Sequence, residues 1–251
     1  MPDKQTITLV QELVDAIPDD SPVADIRVGL HWTVLLTADG RAGIANANAH
    51  RHTVHGVADV EDSGTLIGCS TRELAQLSLD GRSVERGIGV AALNALLPLP
   101  PESHLSDLNA GKLLQSMAPG KKVVVVGHFP FLPELQEAAG ELFVLELDPG
   151  PGEYPASAAP EIVPRADIAA ITGSAIVNGT MDQLLPLCRP DAFVLILGPS
   201  TPLHPVVLNR GVDAIASSIV VDPQTCMQYV SQGCTFRQLR GVRKVVLQRQ
   251  S

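Results

Sequence analysis

Three of the chain's seven histidines fall within six residues, in Asn48-Ala-His50-Arg-His52-Thr-Val-His55, and Asp59, Glu61 and Asp62 follow closely. On an extended backbone His50 and His52 project from one face, with His55 folding back from the next turn. Imidazole nitrogens suit Zn, Cu, Ni or Fe, and neighbouring acids complete a coordination shell or orient the rings. His50, His52 and His55 are therefore the candidate ligands for a transition-metal ion. A solvated polar loop would carry the same residues, because H-x-H is a common pattern.

A second set of polar residues directly follows short apolar runs. The run at 122–126 leads into Gly127-His128-Phe129-Pro130-Phe131, and that at 143–147 ends in Glu146-Leu147-Asp148-Pro149. The run at 167–172 leads through Thr172-Gly173-Ser174 to Asn178-Gly179-Thr180, and that at 193–197 into Gly198-Pro199-Ser200-Thr201-Pro202. In an open α/β sheet, ligands bind beyond the carboxyl ends of the strands, where loops present unpaired N–H groups. This makes Phe129, Glu146, Thr172, Gly173, Asn178, Thr180, Gly198, Ser200 and Thr201 candidate ligand-binding residues, with His128 as the catalytic, proton-transferring group. Asn178 both donates and accepts, so it is assigned to a polar group of the ligand. Each motif also has a plainer reading. Gly127 and Gly198 let the chain turn, Thr180 caps a helix, and Ser200-Thr201-Pro202 opens a turn. It is their joint occurrence at the ends of successive runs that points to a site.

The elements that must position these residues follow from hydrophobic periodicity. Residues 5–17 place Ile7, Val10, Leu13, Val14 and Ile17 at helical spacing. Residues 26–37 alternate as a strand, Ala38-Asp39-Gly40 offers a turn, and 43–48 supply a partner, which reads as a β-hairpin. Ser70-Thr-Arg-Glu73 signals a capped short helix, and 83–97 a longer one rich in small residues. The segment Pro98-Leu-Pro-Pro-Glu-Ser103 is too proline-rich to continue a helix, so a domain boundary is placed near 104, giving domains 1–104 and 105–251. Beyond it, near-continuous apolar runs (the four above and 212–216) alternate with helices at 132–139, 180–187 and 223–232. That rhythm predicts an α/β fold with a doubly wound parallel sheet.

Composition narrows the function. Eighteen Lys and Arg against twenty-seven Asp and Glu give a net charge of −9, which argues against nucleic acid as a partner. The four cysteines, Cys69, Cys188, Cys226 and Cys234, form no C-x-x-C pair and read as reduced and buried. No apolar stretch approaches the ~20 residues of a membrane span, and the first residues lack the pattern of a secretory leader, so a cytoplasmic location is expected. The chain has no G-x-x-x-x-G-K-[ST], no G-x-S-x-G and, after the first run, no G-x-G-x-x-G. P-loop, α/β-hydrolase and ordinary dinucleotide chemistry are disfavoured. Its five lysines all lie outside the strand-end loops, which disfavours Schiff-base chemistry with pyridoxal phosphate.

Gly173-Ser-Ala-Ile-Val-Asn178-Gly-Thr180, with Gly198-Pro-Ser-Thr-Pro202 after it and Gly127-His-Phe-Pro-Phe131 before it, resembles the putative heavy-metal chelation domain family. The first half, through His31-Trp32-Thr33 and Gly87-Ile-Gly-Val-Ala-Ala-Leu-Asn94-Ala, resembles that family's enolase N-terminal-like companion. The resemblance implies an enolase N-terminal-like α+β domain, then a Rossmann-like domain whose loops meet the first domain in a shared cleft. By motif it carries over Asn94, His128, Phe129, Thr172, Asn178, Thr180, Ser200 and Thr201. The implied function is heavy-metal handling: binding a metal chelate or a chelator-like molecule of pterin, flavin or siderophore type, with condensation or hydrolysis as the reaction where there is one. Two other readings stay open, an S-adenosylmethionine- or nucleotide-dependent transferase and a non-catalytic metal chaperone or interaction subunit. Homo-oligomerisation is compatible with all three. The histidines at 50–55 lie outside the family motifs, so a metal site there would be this chain's own.

Overall fold

The computed structural model describes residues 7–48 and 56–250. The chain opens with α1 (Leu9–Asp15), whose N-terminal amide at Gln11 donates to the Thr8 hydroxyl at 3.2 Å. An antiparallel meander follows, β1 (Val23–Val28), β2 (Trp32–Thr37) and β3 (Ala42–Asn46). The expected single strand over 26–37 is thus two strands. The amide of Gly29 donates to the carbonyl of Trp32 at 2.8 Å and turns the chain, within an alternation that continues on both sides. Next come α2 (Thr71–Asp80), capped by Ser70 Oγ accepting from Glu73 N at 3.0 Å, and α3 (Ser83–Leu96).

After a 3-10 turn at Glu102–His104, the chain forms β4 (Leu105–Ser106), α4 (Ala110–Met117), β5 (Lys122–Val126), α5 (Leu132–Ala138), β6 (Glu141–Glu146) and β7 (Tyr154–Pro155). The single-turn α6 (Ala159–Ile162) precedes β8 (Ile168–Thr172), α7 (Ser174–Val177) and α8 (Met181–Leu184). Pro186 has no N–H to extend α8, so the expected helix over 180–187 finishes as a 3-10 turn, Leu185–Leu187. Then come β9 (Phe193–Leu197), α9 (Pro205–Leu208), β10 (Ala214–Val220), α10 (Pro223–Ser231) and β11 (Val242–Gln248).

The contacts divide the chain into two compact units. The first holds the chain to Leu99 together with Ile176–Gly179 and Ser218–Arg243, and the second holds Pro100–Ala175, Thr180–Ser217 and the remainder from Lys244. The division therefore does not follow one cut in the sequence. In the first unit α3 covers one face of the meander, and it lies so close to β3 that a Cβ on Gly43 would strike the carbonyl of Ala91 and the amide of Ala95. The other face packs Val34 and Ile44 against Cys226, Met227 and Val230 of α10, with Leu239 completing the cluster.

The second unit is built on an eight-stranded sheet of order β4-β11-β10-β9-β8-β5-β6-β7. Neighbours from β10 to β7 pair in parallel, whereas β11 and β4 pair antiparallel, so the sheet is mixed and not wholly parallel. Val123, Val124 and Val125 are all fully buried, as a strand covered on both faces requires. One face packs Val123, Val125, Ala170 and Leu195 against Leu114 of α4 and Leu132 and Leu135 of α5. From β5 the chain steps outward to β6 and β7, then returns to β8 on the opposite side of β5 and steps outward again to β9 and β10. The strand order thus reverses between β5 and β8.

Candidate functional site

The carboxyl ends of β5, β8 and β9 lie side by side, and each strand is followed at once by glycine. Those glycines make the last rungs of the ladder: Gly127 N donates to Leu145 O at 2.9 Å, Gly173 N to Leu197 O at 2.8 Å, and Gly198 N to Ala216 O at 2.9 Å. Gly127 and Gly198 then turn away with φ of +107° and +123°, a backbone that side chains with a Cβ rarely adopt. A Cβ on Gly127 would also sit 2.9 Å from the Thr172 Cβ, so the two strand ends bordering the reversal of strand order touch. Gly173 answers a different need. A Cβ there would collide with Thr201 Oγ1 and come within 3.1 Å of Thr201 N.

Hydroxyls line this edge. Thr172 Oγ1 accepts from Ser174 N at 3.3 Å, and Ser217 Oγ donates to the Thr201 carbonyl at 2.7 Å. Ser200 and Thr201 are each only 1% exposed. Thr201 Oγ1 has no hydrogen-bond partner among the described residues, although a buried hydroxyl normally finds one. Phe129 stacks on Phe131 with centroids 5.2 Å apart and planes 11° apart, which gives the first loop a flat apolar flank. Glu146 closes β6, and its own carboxylate accepts from the next amide, Leu147 N, at 3.0 Å.

His128 stands outward from the first loop with its side chain 67% exposed, and its Nδ1 lies 2.8 Å from Glu153 Oε1. The other oxygen of Glu153 accepts from Gly150 N at 2.8 Å. The Gly150 amide, and then the His128 ring, hold the Glu153 carboxyl below its ordinary range, so it is ionised at neutral pH. A carboxylate only accepts. Nδ1 therefore carries a proton, and Nε2 is the nitrogen left to act.

The remaining expected residues lie elsewhere. Asn94 belongs to α3 of the first unit, where its Nδ2 donates to the Ile44 carbonyl of β3 at 2.8 Å. Asn178 falls, half-buried, in the short stretch counted with the first unit. Its neighbour Gly179 lies against the Arg86 guanidinium, whose Nε donates to Gly81 O at 3.0 Å. Thr180 stands at the N-terminus of α8 without capping it through its side chain. Its hydroxyl points back to Ala175 O at 3.4 Å.

His50, His52 and His55 lie outside the described residues. Among the described residues, no group of three His, Cys, Asp or Glu is arranged to hold a metal ion. Cys226 and Cys234 are buried, whereas Cys69 and Cys188 are only half-buried. Burial pushes the Cys226 thiol up to about 12 and that of Cys188 to about 11, so both stay protonated and are poor metal ligands at neutral pH. His128 Nε2 is the donor that the strand-end loops offer. Glu153 and Ser217 are the polar groups that sequence reasoning missed. Glu153 had a legible signal, since it ends the Gly/Pro loop of the second apolar run, seven residues past Glu146.

Comparison with known proteins places these features in a family. A family model described as putative heavy-metal chelation matches residues 109–248, and a second with the same description matches residues 10–97. The uncharacterized protein MJ0500 of Methanocaldococcus jannaschii is 22% identical over 233 residues, which cover 90% of this chain and 89% of that protein. A crystal structure of a DUF364-family protein from Desulfitobacterium hafniense superposes with a TM-score of 0.82 at 28% identity, covering 96% of this chain and 98% of that one. A family structure from Pyrococcus horikoshii gives 0.78 at 21% identity, with the same coverage. No helix among the described residues is long and apolar enough to cross a membrane.

Proposed function

The chain belongs to the putative heavy-metal chelation family, DUF364, and from that premise we propose that it binds a metal chelate or a chelator-like small molecule at the carboxyl edge of the eight-stranded sheet. The observation that carries the reading is the contact of Gly127 with Thr172 where the strand order reverses, flanked by Gly173 against the unpaired Thr201 hydroxyl. At such a reversal, loops on either side diverge and leave a crevice, the usual ligand position in open α/β sheets. The groups around it orient a ligand without fixed charge: the half-buried hydroxyl of Thr172 and the flat face of Phe129, over the buried Thr201. Thr180, on the loop that continues from Gly173, extends the same edge. A pterin, a flavin or a catecholate siderophore combines a planar body with several polar edge atoms, which suits that lining.

The test is a thermal-unfolding screen of the full chain against Ni²⁺, Cu²⁺ and Fe³⁺ complexes of catecholate, hydroxamate, pterin and flavin ligands, and against the metal-free ligands. A ligand that binds the folded state raises Tm by mass action. Thr172→Val and Thr180→Val should each shrink that rise while leaving the ligand-free Tm close to that of the unaltered chain. No rise with any compound, or a rise untouched by both substitutions, overturns the assignment.

A further inference from the structure

The geometry points to His128, oriented by Glu153, as the protein's own donor to a metal ion that arrives already chelated. This rests on the strand-end reading above and adds to it the nature of the ligand: a borderline divalent ion such as Cu²⁺, Ni²⁺ or Zn²⁺ with a coordination position left open by its chelator. Three features support it. The ring nitrogen facing inward is committed, Nδ1 to Glu153 Oε1 at 2.8 Å, and the carboxylate is itself held by Gly150 N at 2.8 Å. A carboxylate behind the distal nitrogen fixes tautomer and ring orientation and raises the basicity of the other nitrogen, the arrangement that metal-bound histidines normally show.

The second feature is exposure. The carboxylate-bearing side chain is 16% exposed and the imidazole 67% exposed, so the half-buried partner anchors and the outer ring presents Nε2 with room for a bulky complex. The third is position. His128 immediately follows Gly127, the residue whose left-handed turn borders the strand reversal, and immediately precedes Phe129, whose stacked ring offers a flat surface to a chelator. A single imidazole holds a bare ion weakly. A chelator that contributes most of the donors itself needs only one more from the protein, and recognition then depends on ion and organic ligand together.

The experiment uses the full chain carrying His50→Ala, His52→Ala and His55→Ala, to silence the other histidine cluster, and Cu²⁺–iminodiacetate as the probe. Titration is followed by copper electron paramagnetic resonance. One copper per chain is expected, with coupling to an imidazole nitrogen added to that of the chelator's own amine, and His128→Asn should remove the added imidazole coupling. Glu153→Gln keeps the ring but loses the carboxylate, and should weaken binding about tenfold, the low end of what partners behind a metal ligand contribute. Unchanged affinity in His128→Asn overturns the proposal and leaves the ring for proton transfer. Unchanged affinity in Glu153→Gln also overturns it, because His128 is then an ordinary exposed imidazole. The two readings fail separately. Copper binding through His128 with no response in the ligand screen removes the strand-end assignment, whereas a ligand-induced Tm rise with no copper at His128 removes the metal assignment alone.

Discussion

The two ends of the eight-stranded sheet are built on opposite principles. At the amino edge, aspartates tie neighbouring strands together. Asp167 Oδ2 accepts from Lys122 N at 2.9 Å while Oδ1 takes the Arg189 guanidinium at 3.2 Å, and Asp213 Oδ2 accepts from Val194 N at 2.8 Å. Every one of those charges has a partner. At the carboxyl edge, glycine replaces the acid at three adjacent strands, the chain departs in turns, and a buried hydroxyl is left unpaired. One edge is closed by satisfied electrostatics, whereas the other depends on missing side chains that let Gly127 approach Thr172 and Gly173 approach Thr201. The under-satisfied edge is the one expected to carry function.

Substitutions at the two edges should therefore separate binding from stability. The largest effect is expected from Gly173→Ala, whose added methyl must displace Thr201. It should cost roughly 1–3 kcal/mol in urea unfolding as an overpacked site. It should also weaken the complex selected by the thermal screen by about tenfold or more, ~1.4 kcal/mol. Adding Thr201→Ala makes room and should restore part of the stability. If the double variant is no more stable than the single one, the close approach of Thr201 is not the reason for glycine. Asp213→Ala should lose about 1–2 kcal/mol, because the β9 amide is left unpaired. Its ligand affinity should match that of the unaltered chain. A loss of affinity comparable to that of Gly173→Ala would erase the contrast between the edges.

Acid should loosen the amino edge. The Lys122 amide, and then Arg189, hold the Asp167 carboxyl below its ordinary value of 3.8. A lowered folded pKa contributes stability that is present above the unfolded value and is lost as pH falls through the folded one. Melting temperature should therefore fall more steeply below about pH 4 in the unaltered chain than in Asp167→Asn. Parallel curves would show that this carboxylate is not coupled to folding. The smallest effect is expected from Glu141→Gln, which breaks an exposed pair with Lys122 at 3.5 Å. Less than about 0.5 kcal/mol should be lost, measured from the urea midpoint.

How much of this was legible follows from what each segment has to declare. The strands at 122–126 and 193–197 were legible to the residue, since unbroken valine and leucine runs between polar ends leave one reading. The turn at Gly29 was not, because the alternation of 26–37 runs through it and only the close approach of the Val230 carbonyl requires glycine there. β11 was also missed: Val-Arg-Lys-Val-Val-Leu-Gln follows no βα rhythm, and it pairs antiparallel with a two-residue strand 140 positions away. The strand-end glycines and hydroxyls were visible as motifs. Their contacts were not, because sequence order does not say that β8 returns beside β5. The Glu153 partner of His128 was hidden for the same reason, lying on a different loop of that edge.

The packing of α10 on the first unit's meander also has a consequence for how the protein is made. Val34 and Ile44 find their partners in Cys226, Met227 and Val230, nearly two hundred residues later. A ribosome delivers the meander long before the helix that covers it. During that interval one apolar face of the nascent sheet has no native cover, and folding of the first unit cannot be completed in the order of synthesis. The emerging chain should therefore engage holding chaperones early, and truncation before residue 223 should release an aggregation-prone fragment rather than a folded half.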